Sequence, residues 1–357
     1  MTVPGSVSGQ AITQVQAGGT LTREQAAAAF GPILAGDFTG ADVAWGALFA
    51  ALHARGATSA EALGLIDAIL AFDNELADQL ARPVPLDVAE PVVAVTGSGK
   101  ESFKTFNVST AAAFVAASHP GVRVIKPAGR ATSAVTGASD VLELLGIRLP
   151  KTLPQVAELA RECGIGVFDY HLVAPKYGPR YEGRFHHLHP LSHVTPWLFI
   201  PFRLDGMVFG VSEPRGALAA AVMVEWGVRR AAVVSTTVGE HGRIDEYAPF
   251  GTAELTMVAE GKIESSVVRR PVPADVRQVA QQHNHEDNSA MILDLLHGRA
   301  PRVAVELTCA NAGLLLQVAG VAEDHAGGIA QAEELLASGA ALKTLDACRE
   351  ASLRIVG

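Results

Sequence analysis

From Val92 onward, short β-branched apolar runs alternate with helical stretches, and this alternation limits the possible folds more than any other feature of the chain. The runs are Val92–Val95, Val122–Ile125, Gly164–Phe168, Val208–Val211, Ala231–Ser235 and Val303–Leu307. Each is short and nearly continuous in apolar residues, the pattern of strands covered on both faces. Strands of this kind with helices between them predict an α/β fold around a mostly parallel sheet. The first 85 or so residues, by contrast, carry no convincing strand. Thr22 with Gln25 forms a capping box ahead of an alanine-rich helix, and Thr58 with Glu61 forms another ahead of a helix over Leu63 to Leu76. Arg82-Pro83-Val84-Pro85 then breaks the helical pattern. The expected organisation is a small helical domain, residues 1–85, followed by a large α/β domain, residues 86–357. Phe168 to Arg203 is rich in His, Pro, Tyr and Arg and has no clean period. It reads as a long functional loop or a crossing back to the helical part, with part of 170–200 completing the helical domain.

The polar chemistry concentrates between Val95 and Gly137. The first strand runs into a two-glycine turn, Gly97-Ser98-Gly99-Lys100, and Asn107, Ser109 and Thr110 stand directly ahead of an alanine-rich helix. The second strand ends in Lys126 and Arg130, followed by a hydroxyl-rich turn with Thr132, Ser133 and Thr136. Glycine backbone, hydroxyls, an amide and three cations therefore meet at one edge of the sheet, which suits a phosphate-bearing polyanion. A nucleotide P-loop is excluded, because Ala94 stands where its first glycine must be and Glu101 follows Lys100 in place of Ser or Thr. The dinucleotide fingerprint also fails, for want of its third glycine.

The order of these parts resembles the anthranilate phosphoribosyltransferase family, within the glycosyltransferases that share a fold with the pyrimidine nucleoside phosphorylases. The family's G-T-G-G-D, N-x-S-T, K-H-G-N-R and G-S-x-D steps correspond here to Gly97-Ser98-Gly99-Lys100-Glu101, Asn107-Val108-Ser109-Thr110, Lys126-Pro127-Ala128-Gly129-Arg130 and Gly137-Ala138-Ser139-Asp140. Gly242-Arg243-Ile244-Asp245-Glu246 looks like the family's paired-acid loop. The resemblance implies displacement at the anomeric carbon of 5-phosphoribosyl 1-diphosphate. The donor would be held by Gly97, Ser98, Gly99, Lys100, Asn107, Ser109, Thr110, Lys126, Arg130 and Ser133, and Mg²⁺ by Ser109, Asp245 and Glu246. Magnesium as a hard cation takes few carboxylates together with phosphate oxygens, which this set offers. The resemblance also implies a homodimer. A nucleoside phosphorylase of the same fold and a non-catalytic ligand-binding relative remain as alternatives; the Asp-Glu pair argues against the first.

The acceptor half departs from the family. Pro127, Ala128 and Gly129 replace the His-Gly-Asn of its second turn, and Leu188 and His189 stand near the position of its carboxylate-binding arginine. Without that charge-assisted fork the acceptor is expected to be a small aromatic or heteroaromatic molecule other than anthranilate. Tyr170, His171, Arg180, Arg184, His187 and His189 are the candidates to line its pocket. His186, His187 and His189 are too closely spaced, and lack cysteine partners, for a structural zinc site.

Composition agrees with a well-buried globular protein. Of the 357 residues 49% are hydrophobic and 18% charged, enough to bury a large core. A net charge of −9 argues against nucleic acid as a partner. Cys163, Cys309 and Cys348 are odd in number and widely spaced, as buried thiols in a reducing cytoplasm are. No apolar run approaches the ~20 residues of a membrane helix, and Met1 to Gly18 lacks the pattern of a signal peptide.

Overall fold

The computed structural model describes residues 6–131 and 134–357. Five helices open the chain: α1 (Val7–Gln16), α2 (Arg23–Ala35), α3 (Ala41–Arg55), α4 (Ser59–Phe72) and α5 (Asn74–Ala81). Both capping boxes form as the sequence predicts. Glu61, the acid of the second box, is buried and accepts the Leu21 and Thr58 amides, each at 2.8 Å, as well as the Arg55 guanidinium. One carboxylate thereby ties together the start of α2, the end of α3 and the start of α4. The helix expected over Leu63–Leu76 is interrupted at Asp73, whose backbone (φ −111°, ψ 86°) is not helical. Its side chain caps the Leu76 amide at 3.2 Å and also accepts the Lys176 and Tyr177 amides. An aspartate is favoured at such a break because its oxygen replaces the lost helical acceptor.

The α/β part follows as β1 (Val92–Gly97), α6 (Val108–Ala117), β2 (Arg123–Ala128), α7 (Ala138–Leu144), α8 (Leu153–Cys163) and β3 (Ile165–Asp169). Next come the short helices α9 (Tyr177–Tyr181) and α10 (Thr195–Leu198), then β4 (Gly206–Gly210), α11 (Gly216–Trp226), β5 (Arg230–Thr237) and β6 (Arg243–Ile244). The chain ends with β7 (Gly251–Ala259), β8 (Lys262–Arg270), α12 (His285–Leu296), α13 (Arg302–Ala319), α14 (His325–Ala337) and α15 (Ala340–Val356). The sheet runs β3-β2-β1-β4-β5-β7-β8, with β6 also beside β5; β3 to β5 are parallel and the rest antiparallel. An N-terminal helical bundle thus accompanies a large α/β domain with a mostly parallel sheet, the expected fold class.

Alternation along β1 divides the core in two. Val93 and Val95 pack with α6 and α13 on one face, while Val92 and Ala94 face the core that includes Phe30, Trp45 and Phe49 of the helical bundle. Tyr177, Leu191, Val194 and Trp197 join the second core, so the segment after β3 packs onto the bundle. Val303–Leu307, expected as a strand, lies instead inside α13. That helix is buried almost all round, so a short window of it is apolar throughout and carries no helical period. The β7–β8 hairpin lies outside the strands that the sequence predicts. Its turn puts Glu260 at φ 48° and Gly261 at φ 81°, the two left-handed positions of a type I′ turn. β8 is an exposed edge studded with charge, so it lacks the apolar run that signals a strand.

Candidate active site

A cleft of ≈ 250 Å³ opens at the carboxyl ends of β1 and β2, where open parallel sheets place their ligands. Its far wall is built by the segment that packs onto the bundle, with Tyr170, Tyr181, Glu182, Phe185 and Phe199 facing the sheet edge. Gly97, Ser98, Gly99, Lys100, Asn107, Ser109, Lys126 and Arg130 all line the cleft; Thr110 is buried just behind it. Ser133 lies outside the described residues.

The turn after β1 is shaped around Asp245. Its Oδ2 accepts the Gly99 amide at 2.9 Å and the Ser98 hydroxyl at 3.2 Å. A Cβ on Gly97 would stand 2.6 Å from that oxygen, and one on Gly210 would stand 1.7 Å from the Asp245 carbonyl, so both strands must end in glycine for the acid loop to dock. Glu246 is buried beside it and accepts the Thr105 hydroxyl at 3.3 Å. Glu101 completes a group of three carboxylates on the cleft, one of its oxygens buried without a hydrogen-bond partner. Burial, then the charge of Asp245, pushes Glu101 up to about 7 against the pull of Lys104. Burial, then Asp245 and Glu101, holds Glu246 well above the usual carboxylate range. Lys104 offsets only part of this crowded negative charge, and the hard carboxylate oxygens fit a divalent cation such as Mg²⁺.

Two lysines approach the same space. Lys126 is buried; burial pulls it down to about 8, against the attraction of Asp245 and Glu246, and its ammonium donates to the Pro127 carbonyl at 3.2 Å. Lys100, lowered to about 8 by burial and then by Lys104, donates to the Phe185 carbonyl at 2.6 Å, bridging the two walls. It does not fold onto Glu101, which pairs with Lys104 at 3.3 Å. Opposite them, α6 begins at Asn107 with no side-chain cap, and the Asn107 Oδ1 is buried without a partner. An uncapped helix start with a stranded amide oxygen offers both N–H groups and dipole to an anion and its sugar. Arg130 lines the cleft, but its guanidinium is engaged by Glu143 at 2.9 Å and Asp140 at 3.1 Å.

On the acceptor side the structure departs from the sequence expectation. Of the six candidates, Tyr170 alone lines the cleft. Arg180 donates to the Leu34 carbonyl at 2.9 Å, pairs with Asp42 and lies over the Trp45 ring, while Arg184 pairs with the same Asp42. Both arginines pin the segment to the bundle. His189 is buried, stacked on Phe49 and hydrogen-bonded to the Tyr181 hydroxyl at 2.8 Å; burial first of all keeps it neutral. His187 is exposed. His171 reaches the cleft only through Glu182, at 3.0 Å. Glu182 itself was missed, although it is the single acid between Tyr170 and Arg203, a signal that was there to read.

The fold and cleft are those of an α/β enzyme with its ligand site at the strand ends. Two models of a glycosyl transferase family match the chain, its helical bundle domain over residues 9–72 and its a/b domain over residues 89–342. The chain belongs to this glycosyl transferase family, the pentosyltransferases that include anthranilate phosphoribosyltransferase. It is 32% identical to the anthranilate phosphoribosyltransferase of Geobacillus stearothermophilus over 89% of this chain and 91% of the relative. Identity is also 32% to that of Roseiflexus castenholzii, over 94% and 95%. Among solved structures, the anthranilate phosphoribosyltransferase of Thermus thermophilus superposes with a TM-score of 0.77 at 25% identity, covering 96% of this chain and 99% of that one. The Saccharomyces cerevisiae enzyme in complex with PRPP and Mg shares the fold at a TM-score of 0.77, with 17% identity over 98% and 99%.

Proposed function

We propose that this protein transfers the 5-phosphoribosyl group of 5-phosphoribosyl 1-diphosphate to a small aromatic or heteroaromatic acceptor other than anthranilate. The observation that carries this reading is the meeting of three carboxylates, a buried lysine, a glycine turn and an uncapped helix start in one cleft. Gly97, Ser98, Gly99, Asn107, Thr110, Lys126 and Arg130 form the donor cradle in this reading, and Ser109, Glu101, Asp245 and Glu246 hold Mg²⁺. The metal supplies charge stabilisation to the departing diphosphate. The chain's own groups do the rest: they fix the donor, bring the acceptor in line with C1′ and keep water from competing. The relatives' names point to anthranilate, but the acceptor wall of this cleft is aromatic and acidic, and the nearby arginines are turned to Asp42. A cytoplasmic homodimer belongs to the same reading. The three cysteines are buried and unbridged, as a reducing compartment allows.

Asn107 gives the sharpest local test. Its side chain caps nothing, so Asn107→Ala should leave the melting temperature unchanged while weakening donor binding by about 1–3 kcal/mol. Calorimetric titration with 5-phosphoribosyl 1-diphosphate beside a melting curve checks this. Lower stability with full donor affinity would assign Asn107 to the fold instead.

A further inference from the structure

A chain of hydrogen bonds runs from the end of β3 into the acceptor wall of the cleft. The Ser139 hydroxyl donates to Asp169 Oδ2 at 2.8 Å. Asp169 Oδ1 accepts the His171 backbone amide at 3.0 Å and faces its Nδ1 at 2.8 Å. His171 Nε2 then lies 3.0 Å from Glu182 Oε2. The imidazole is thus gripped between two carboxylates, with Tyr170 stacked on it at 4.3 Å and Phe199 stacked in turn on Tyr170 at 5.8 Å. The hydrogen bond to Asp169, above all, raises His171 from its ordinary range, favouring the charged imidazole between the two carboxylates. A surface ion pair has no need of such support. Here a serine, an aspartate and a histidine fix one carboxylate at the cleft, and Glu182 is the charged residue on a wall otherwise formed by Tyr170, Tyr181, Phe185 and Phe199.

We propose that Glu182 is the acceptor-side catalytic carboxylate, positioned by His171 and Asp169, and that it selects a neutral aromatic acceptor carrying an N–H or O–H nucleophile over an aromatic carboxylate. This rests on the reading of the cleft as a phosphoribosyl-transfer site. The nucleophile's lone pair forms the bond to C1′ as the C1′–O bond breaks, its electron pair leaving with diphosphate. The proton shed by the nucleophile passes to Glu182 Oε1, the oxygen not engaged by His171, and from there to solvent. The same carboxylate repels an acceptor carboxylate placed against it, and the ammonium nearest this wall, that of Lys100, is engaged by the Phe185 carbonyl.

The matched probes 2-aminophenol and anthranilate place a hydroxyl or a carboxylate beside the same amine. The wild-type protein, loaded with 5-phosphoribosyl 1-diphosphate and Mg²⁺, should bind 2-aminophenol at least about tenfold more tightly than anthranilate and release diphosphate with it. Glu182→Gln should lower kcat by about a hundredfold or more and erase the preference, with the donor dissociation constant unchanged. Glu182→Asp should recover part of kcat, and Asp169→Asn should lower kcat with donor affinity intact, a split that a purely structural role does not produce. Tighter binding of anthranilate by the wild-type protein, binding of neither probe, or full activity and preference in Glu182→Gln would each overturn the proposal. Absence of donor binding alongside a preserved Glu182-dependent preference would instead sink the phosphoribosyl reading and leave the acceptor assignment standing.

Discussion

Replacing Asp245 with Asn and Glu246 with Gln together is expected to slow diphosphate release by about a thousandfold or more, because the charge that holds Mg²⁺ on the departing group is gone. The choice of amides matters. Asn keeps an acceptor oxygen for the Gly99 amide and the Ser98 hydroxyl, and Gln keeps one for Thr105, so the turn after β1 retains its shape. Burial and like charge already disfavour the ionised Glu246, so the double variant should melt no lower than the wild type. The metal-free wild type carries a matching pH signature. Folding raises Glu101 from 4.5 to about 7, so between those values the folded state binds more protons than the unfolded one. Stability should therefore fall as pH rises through that window, and Mg²⁺ should remove the fall. Melting curves across pH, with and without Mg²⁺, read this directly. Wild-type turnover in the double variant would remove the metal assignment.

Lys126→Met should yield a more stable protein that binds its donor much more weakly. The lysine is buried, and its fall from 10.5 to about 8 on folding corresponds to roughly 3 kcal/mol of destabilisation. The sign is fixed by the protonation states. Below about pH 8 the lysine is charged in both states and the full cost is present; as pH rises toward 10.5 the folded state sheds its proton first and the cost is relieved. The wild type should thus gain stability from about pH 8 to 10.5, and the variant should show only the part that belongs to Lys100, which is lowered similarly. A charge kept at such a cost beside Asp245 and Glu246 is consistent with a ligand that repays it. Losing its charge-assisted contact to a donor oxygen should weaken binding by about 2–3 kcal/mol. Calorimetry and thermal melting on one preparation test both halves. Undiminished donor affinity in Lys126→Met would contradict the placement of the donor against β2.

The residues proposed to hold the donor could be grouped from the sequence because they are local, and the structure brings them to one cleft. A strand, a turn and a helix start lie within a few tens of residues, and glycine turns ahead of a helix are where backbone can approach a phosphate. The β-branched runs of β1 to β5 were legible for the same reason, since both faces of each strand are covered and the apolar run is unbroken. Val303–Leu307 shows the limit of that rule, because a helix buried on all sides imitates such a run. The acceptor wall was not legible. Arg180 and Arg184 looked like ligand cations by type, yet their direction was decided by Asp42 and Trp45, more than a hundred residues earlier in the chain. Lys100 likewise crosses the cleft to a carbonyl that no local pattern names. Glu182 could have been picked out as a lone acid in a basic segment, but its partner His171 is brought to it only when α9 folds back over the end of β3.

The most direct test of the account is calorimetric titration of the purified protein with 5-phosphoribosyl 1-diphosphate, once with Mg²⁺ and once with a chelator. Saturable binding at one site per chain is expected with Mg²⁺, lost on chelation and competed by inorganic diphosphate. Absence of binding in the presence of Mg²⁺, together with phosphate-dependent release of free base from nucleosides, would contradict it and make the protein a phosphorylase.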